Sequence, residues 1–138
     1  MAEDRHHNAT SVAQTQTPVR CAVYIRVNIG AVQNAEAIRL QRETAEAFLI
    51  SREVGGWICV GTYEDIGYSA GKLERPGFEC LLADINAGKV DRVIVHTLDR
   101  LVRMHEHYVM LMTLLRRRNV KVITVSGEPC VVDGHVRI

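Results

Sequence analysis

The sequence predicts an α/β fold on a mostly parallel sheet of four or five strands, with helices on both faces. Two observations carry this. Four short apolar runs, at 21–27, 57–63, 90–95 and 120–125, alternate with three stretches of helical periodicity. Each gap between runs holds enough chain for a helical crossover, which parallel neighbours require. With 138 residues, 47% of them hydrophobic, the chain suits one cored domain rather than two.

The elements follow in order. Residues 1–19 are polar and aperiodic and read as a disordered leader, in which His6-His7 is leader rather than metal site. Cys21 to Val27 is a short apolar run interrupted only by Arg26, as expected of a buried strand. A linker containing Gly30 leads to a helix over about 35–52, with Ile38, Ala45, Phe48 and Leu49 at helical spacing and Gly55-Gly56 ending it. Trp57 to Tyr63 is the second strand. Phe78, Leu81, Leu82 and Ile85 fall at i, i+3, i+4 and i+7, with Pro76 in the first turn and Gly88 at the C-terminal cap. Val90 to Val95 is the third strand. Leu101, Met104, Tyr108, Leu111, Met112 and Leu115 form the apolar stripe of a third helix, closed by Arg116-Arg117-Arg118, whose charge suits the negative helix end. Val120 to Val125 is the fourth strand. In the tail, Pro129 and Gly134 favour a hairpin or short strand over a helix.

Composition excludes several classes of function. The formal charge is +1, so bulk positive potential alone does not hold nucleic acid. Of the 17 basic residues 14 are arginine, the side chain whose planar fork grips phosphate, although a GC-rich genome gives the same bias. Cys21, Cys59, Cys80 and Cys130 lie far apart without zinc spacing, and the three in predicted elements are expected to be small buried apolar groups. No stretch approaches the ~18 apolar residues of a membrane span, and no secretory signal is visible. The expectation is a cytoplasmic, reduced protein with no metal, no nucleotide cofactor and no membrane partner.

In a parallel α/β sheet, function gathers beyond the carboxyl ends of the strands. Arg26 and Asn28 end the first strand, Asp65 and Ser69 follow the second, and Asp99, Arg100 and Arg103 follow the third. Arg26, Arg75, Arg100 and Arg103 can surround a phosphate and stabilise charge spread over its oxygens without a metal. Asp99 can orient the Arg100 guanidinium or handle a proton on a leaving oxygen, and Gln41 can donate an amide hydrogen bond to the same centre.

Five motifs occur in order: Tyr24-x-Arg26-Val27, Ile38-x-x-Gln41-Arg42, Asp65-x-Gly67-x-Ser69-Ala70-Gly71, Leu73-Glu74-Arg75-Pro76-Gly77 and Leu98-Asp99-Arg100-Leu101-x-Arg103. Over about residues 20–127 the chain resembles the catalytic domain of the serine site-specific recombinases of the resolvase/invertase family, nearer the large serine recombinases. The resemblance implies a resolvase-like, flavodoxin-like fold, DNA as partner, and a serine that cuts DNA through a 5′-phosphoserine link. It also implies an active site at Arg26, Gln41, Arg75, Asp99, Arg100 and Arg103, with Ser69 at a loop position of the DNA- and phosphate-binding set. Where the family has its nucleophilic serine, this chain has Asn28.

A carboxamide oxygen is a weak nucleophile and cannot become an alkoxide by losing a proton, although it can hydrogen-bond a phosphate. The expectation is therefore a cleavage-deficient recombinase domain. Residues 128–138 are expected to stand as a short tail where the family has a long helix and a DNA-binding domain, so that DNA binding is weak and a related recombinase subunit is a candidate partner. Ser69 and Ser126 are the nearby hydroxyls, with a loop cap and a strand end as their expected roles, and His135 is a tail residue rather than a base. Two other readings stay open. One is an active strand-transfer enzyme with a substitute nucleophile; the other is a non-catalytic phosphate- or nucleotide-binding or regulatory module, against which the missing glycine-rich loop weighs.

Overall fold

A computed structural model describes residues 17–28 and 35–127, together with the backbone of 130–132 and 135–137. The elements are β1 (Val19–Val27), α1 (Ala35–Ile50), a 3-10 turn (Glu53–Gly55), β2 (Trp57–Ile66), α2 (Pro76–Asn86) and β3 (Arg92–Val95). A second 3-10 turn (Leu98–Arg100), α3 (His105–Arg117), β4 (Lys121–Thr124), β5 (Cys130–Val132) and β6 (His135–Arg137) complete the order. The leader expected over 1–19 and the linker around Gly30 lie outside the described residues, except that Val19 and Arg20 already belong to β1.

Strand order is β2-β1-β3-β4 and every pairing in that sheet is parallel, while β5 and β6 form a separate antiparallel hairpin. The first crossover runs to one side of β1 and the second returns across it, so the direction of winding reverses. With right-handed crossovers this puts α1 on one face and α2 and α3 on the other. The cores agree. Cys21, Val23 and Ile25 pack with Ala45 and Leu49 of α1, whereas Ala22 and Tyr24 pack with Phe78, Leu81 and Ile85 of α2 and Leu111 and Leu115 of α3. Alternate residues of β1 therefore serve opposite cores, which is why the central strand is apolar at every position from Cys21 to Ile25. Each large apolar side chain so buried contributes about 1.5–3 kcal/mol.

Two chain reversals need unusual backbone. Gly88 has φ +78° after α2, as its capping position predicts. At the corresponding place after α3 the sequence has Asn119, with φ +57°, the non-glycine residue that tolerates this region best.

Three expectations are corrected. The third helix begins at His105, not Leu101. Leu98–Arg100 form a 3-10 turn and Met104 is extended at the N-cap. Leu101 and Val102 are buried from a loop, which copies the spacing of a helical stripe. The strand over Val90 to Val95 starts only at Arg92, with Val90 buried in the turn before it. Finally, only Cys21 of the three cysteines expected in the core is buried. Cys59 is on β2, the edge strand, where the register with β1 shifts after Cys59 and leaves Val60 unpaired, and Cys80 points off the apolar stripe of α2.

This separates the thiols chemically. Burial pushes the Cys21 thiol up to about 11, opposed in part by Arg92. In native protein, Cys59 and Cys80 are expected to react with a thiol reagent in the first phase, and Cys21 only after denaturant is added. Peptide mapping of labelled Cys21 in the native phase would contradict that placement.

Candidate active site at the carboxyl edge

The site starts from a buried cation. Arg26 lies on β1 one residue before its end and is fully buried. Its Nε donates to the Arg100 carbonyl at 3.0 Å, Nη2 to the Asp99 carbonyl at 3.1 Å, and Nη1 to the Tyr68 carbonyl at 2.9 Å and to Asn28 Oδ1. Burial first, then the nearby Arg100 and Arg75 charges, lower its affinity for the proton, while an arginine stays charged at neutral pH. One guanidinium thus ties the end of β1 to the loops that follow β2 and β3.

A second fully buried guanidinium, Arg75, is the N-cap residue of α2. Nε donates to the Lys72 carbonyl at 2.8 Å, Nη1 to the Tyr24 hydroxyl at 2.9 Å and the Arg100 carbonyl at 3.2 Å, and Nη2 to the Leu101 carbonyl. Its plane lies 4.1 Å over the Phe78 ring. The Tyr24 hydroxyl in turn donates to Asp65 at 2.6 Å, and both burial and that carboxylate raise its pKa above the ordinary tyrosine value. Asp65, also buried, accepts the Gly77 and Phe78 backbone N–H groups at 2.8 Å each, which makes it the cap of α2 from a different strand. Gly77 allows this approach: a Cβ there would sit 2.7 Å from the Glu64 carbonyl oxygen.

The loop after β3 supplies the accessible charge. The Arg103 side chain is 61% exposed and lies 3.7 Å from the Asp99 carboxylate. A hydrogen bond from Thr97, then the Arg100 and Arg103 charges, hold Asp99 below the usual carboxylate range. Asp99 is thus an anion at neutral pH, within ion-pair distance of Arg103 and in the field of Arg100, the neighbour it was expected to orient. Arg100 is half-buried, and its Nη1 reaches the Arg26 carbonyl at 3.4 Å, the same oxygen approached by Gln41 Nε2 at 3.4 Å. Arg100 Nε and Gln41 Oε1 are both buried without a partner. Orphaned polar atoms at one point mark a place where an added donor or acceptor is stabilised.

Of the predicted residues, Arg26, Asn28, Gln41, Arg75, Asp99 and Arg100 are joined by these contacts or share carbonyl partners. Arg103 is joined only through Asp99. Ser69 is exposed and its Oγ accepts the Gly71 N–H at 3.0 Å, a loop cap. Arg26 and Arg75 were expected to face a phosphate directly. In this arrangement the guanidiniums of both are engaged by carbonyl, carboxamide and hydroxyl oxygens, whereas Arg100 is half-buried and the Arg103 side chain is exposed. Two functional parts were missed in the sequence: the hydroxyl of Tyr24 as a link, and Asp65 as a helix cap. A lone polar atom in an apolar run was the signal for Tyr24; a cap 11 residues before its helix has none. An apolar groove of about 780 Å³ lies between α1 and β2 against Leu49, Ile50, Trp57 and Ile58, and none of Arg26, Arg75, Arg100 and Arg103 lines it. Among the described residues no group of three or more His, Cys, Asp or Glu is placed to hold a metal ion, and no helix is long and apolar enough to cross a membrane.

Comparison with known proteins agrees with this geometry. A resolvase family site-specific recombinase from Streptococcus pneumoniae superposes with a TM-score of 0.66 at 27% identity, over 86% of this chain and 75% of that one. The N-terminal catalytic domain of TP901-1 integrase gives 0.64 at 30% identity, over 77% and 76%. The C-terminal catalytic domain of ISC1926 TnpA, an IS607-like serine recombinase, gives 0.66 at 25% identity, over 80% and 69%. A curated protein of Bacillus subtilis (strain 168), named "Putative DNA recombinase", is 38% identical over 66 residues, which is 48% of this chain but 13% of that protein. The family described as "Resolvase, N terminal domain" matches residues 21–134, which begin at the first buried residue of β1 and include β5. With that family's model matched over residues 21–134, and with catalytic domains of serine recombinases superposing on most of its length, the chain belongs to the resolvase N-terminal domain family.

Proposed function

We propose that residues 20–127 form a serine-recombinase catalytic domain that binds the phosphate backbone of DNA at the carboxyl edge of its sheet and does not cleave it by the serine route. The observation that carries this reading is the Asn28 carboxamide accepting an N–H from Arg26 at the end of β1. The family's nucleophile position holds a group that cannot be turned into an alkoxide, and the arginine beside it is already occupied by that group. Arg100 and Arg103 then provide the phosphate contact, Arg26 and Arg75 hold the loop that carries them, and Asp99 orients Arg103. No metal or nucleotide enters this scheme. Its biological role is as a remnant of a mobile element or as a regulator that pairs with an active recombinase subunit through shared DNA.

The binding half is tested on a short duplex by fluorescence anisotropy. Arg100→Gln/Arg103→Gln is expected to weaken binding about tenfold or more at low salt, since charge-assisted contacts to phosphate are worth about 1.5–3 kcal/mol. Unchanged affinity in a variant with the parental melting temperature would contradict the assignment.

A further inference from the structure

The edge of the sheet opposite the site carries more cations than the site does. Of fifteen lysines and arginines among the described residues, eight lie where strands begin and helices end. Arg20, Arg92 and Lys121 open three neighbouring strands, and Arg92 and Lys121 are direct register partners, about 4.8 Å apart across the sheet. Arg116, Arg117 and Arg118 end α3, Lys89 follows α2, and Arg52 follows α1.

Helix dipoles explain part of this, because cations are favoured at helix C-termini. They do not explain the strand-opening residues. Nor do carboxylates neutralise the group. Asp91 is taken by Arg20, through two bonds of 3.0 Å, and Asp84 faces Lys89 at 3.9 Å. Arg118 is bonded to the neutral Asn86 amide, Arg52 and Arg92 lie 5.7 and 5.8 Å over the Trp57 ring, and Arg92 shares the field of Asp91, whose carbonyl it bonds at 3.0 Å, while the carboxylate itself is held by Arg20. Among the described residues, Arg52, Arg92, Arg117, Arg118 and Lys121 have no carboxylate within ion-pair distance. Arg117 and Arg118 are exposed.

We propose that this amino edge is a second nucleic-acid surface, which takes the phosphate backbone of duplex DNA without reading its sequence. A second copy of the chain does not fit, since the same edge of a copy carries the same sign. The arginine forks suit phosphate oxygens, and a chain with a phosphate site at each end of its sheet can touch two duplex segments at once. The inference uses nothing at the carboxyl edge, so the two surfaces can fail separately.

The test is salt-dependent anisotropy on a random-sequence duplex, with Arg117→Glu/Lys121→Glu and the neutral Arg117→Gln/Lys121→Gln. Thermal melts check that each is folded. We expect affinity to fall about tenfold or more for both variants and the log K against log salt slope to shrink by about two, one unit per lost phosphate contact. Retained affinity and slope in either folded variant would overturn the proposal. So would loss of binding only in Arg100→Gln/Arg103→Gln, absence of duplex binding by the parent, or tighter binding of anionic lipid vesicles than of DNA at the same salt.

Discussion

Asp65→Ala is expected to destabilise the domain by about 3–5 kcal/mol, the range for removing one partner from a buried charged network. Asp65 is 1% exposed and accepts three donors: the Tyr24 hydroxyl and the two backbone N–H groups that open α2. Its loss leaves those donors without acceptors in the space the carboxylate vacates, and leaves the buried Arg75 guanidinium without the nearest anion of its network. Since a domain of this size has about 5–15 kcal/mol in total, the variant should be close to unfolding at 37 °C. Tyr24→Phe removes one donor and strands one hydrogen bond from Arg75, so about 1–2 kcal/mol is expected. Urea unfolding followed by circular dichroism measures all three proteins. A midpoint for Asp65→Ala close to the parent's would show that the network is not holding α2 to β1.

The network also has a consequence for function. Arg75 holds the Arg100 and Leu101 carbonyls, and Arg26 holds those of Asp99 and Arg100, so two buried guanidiniums set the backbone of the loop that presents Arg100 and Arg103. Loss of either cation moves the accessible arginines without touching them. Conservation of positive charge by lysine does not restore this. A single ammonium cannot reproduce the forked bonds to carbonyls on two loops.

What the sequence made legible follows from where burial is simple. β1 is central and covered on both faces, so the apolar run at 21–27, interrupted only by Arg26, reads as a buried strand. α2 packs one face on the sheet, and Phe78, Leu81 and Ile85 repeat at its period and are buried as read. The parallel sheet follows from alternation, and with it the gathering of Arg26, Asn28, Asp99, Arg100 and Arg103 at one edge. Legibility ends where tertiary contacts override local pattern. Leu101 and Val102 are buried by a loop, so they mimicked a helix. Cys59 is apolar in a strand, but β2 is an edge strand and leaves it open. Asp65 caps a helix that begins 11 residues later, on an element it does not share. The direction in which Arg26 and Arg75 point, inward to carbonyls rather than outward to a ligand, depends on the loops around them and is not encoded in residue type.

The central claim concerns Asn28, whose effect is expected to be all or none. Removing the nucleophile of a covalent catalyst lowers its rate by about six orders of magnitude in the best-measured hydrolase. An amide at that position has no proton whose loss would yield an attacking oxygen at neutral pH. The other two hydroxyls near the edge have structural surroundings: Ser69 Oγ caps the Gly71 N–H, and Ser126 follows β4 with its N–H on the His96 carbonyl at 3.1 Å. On the proposed reading Arg100 and Arg103 hold the phosphate near this edge, so Asn28→Ser asks whether the pocket can use a nucleophile once it has one. A denaturation-resistant adduct from that variant would extend the account from binding to geometry.

The most direct measurement is covalent capture with the parent chain on nicked suicide duplexes, read on denaturing gels and by peptide mass. The account predicts no protein-linked 5′ end at neutral or mildly alkaline pH, under conditions in which the same duplex is bound. A 5′-phosphate adduct on any residue of the unaltered chain would contradict it.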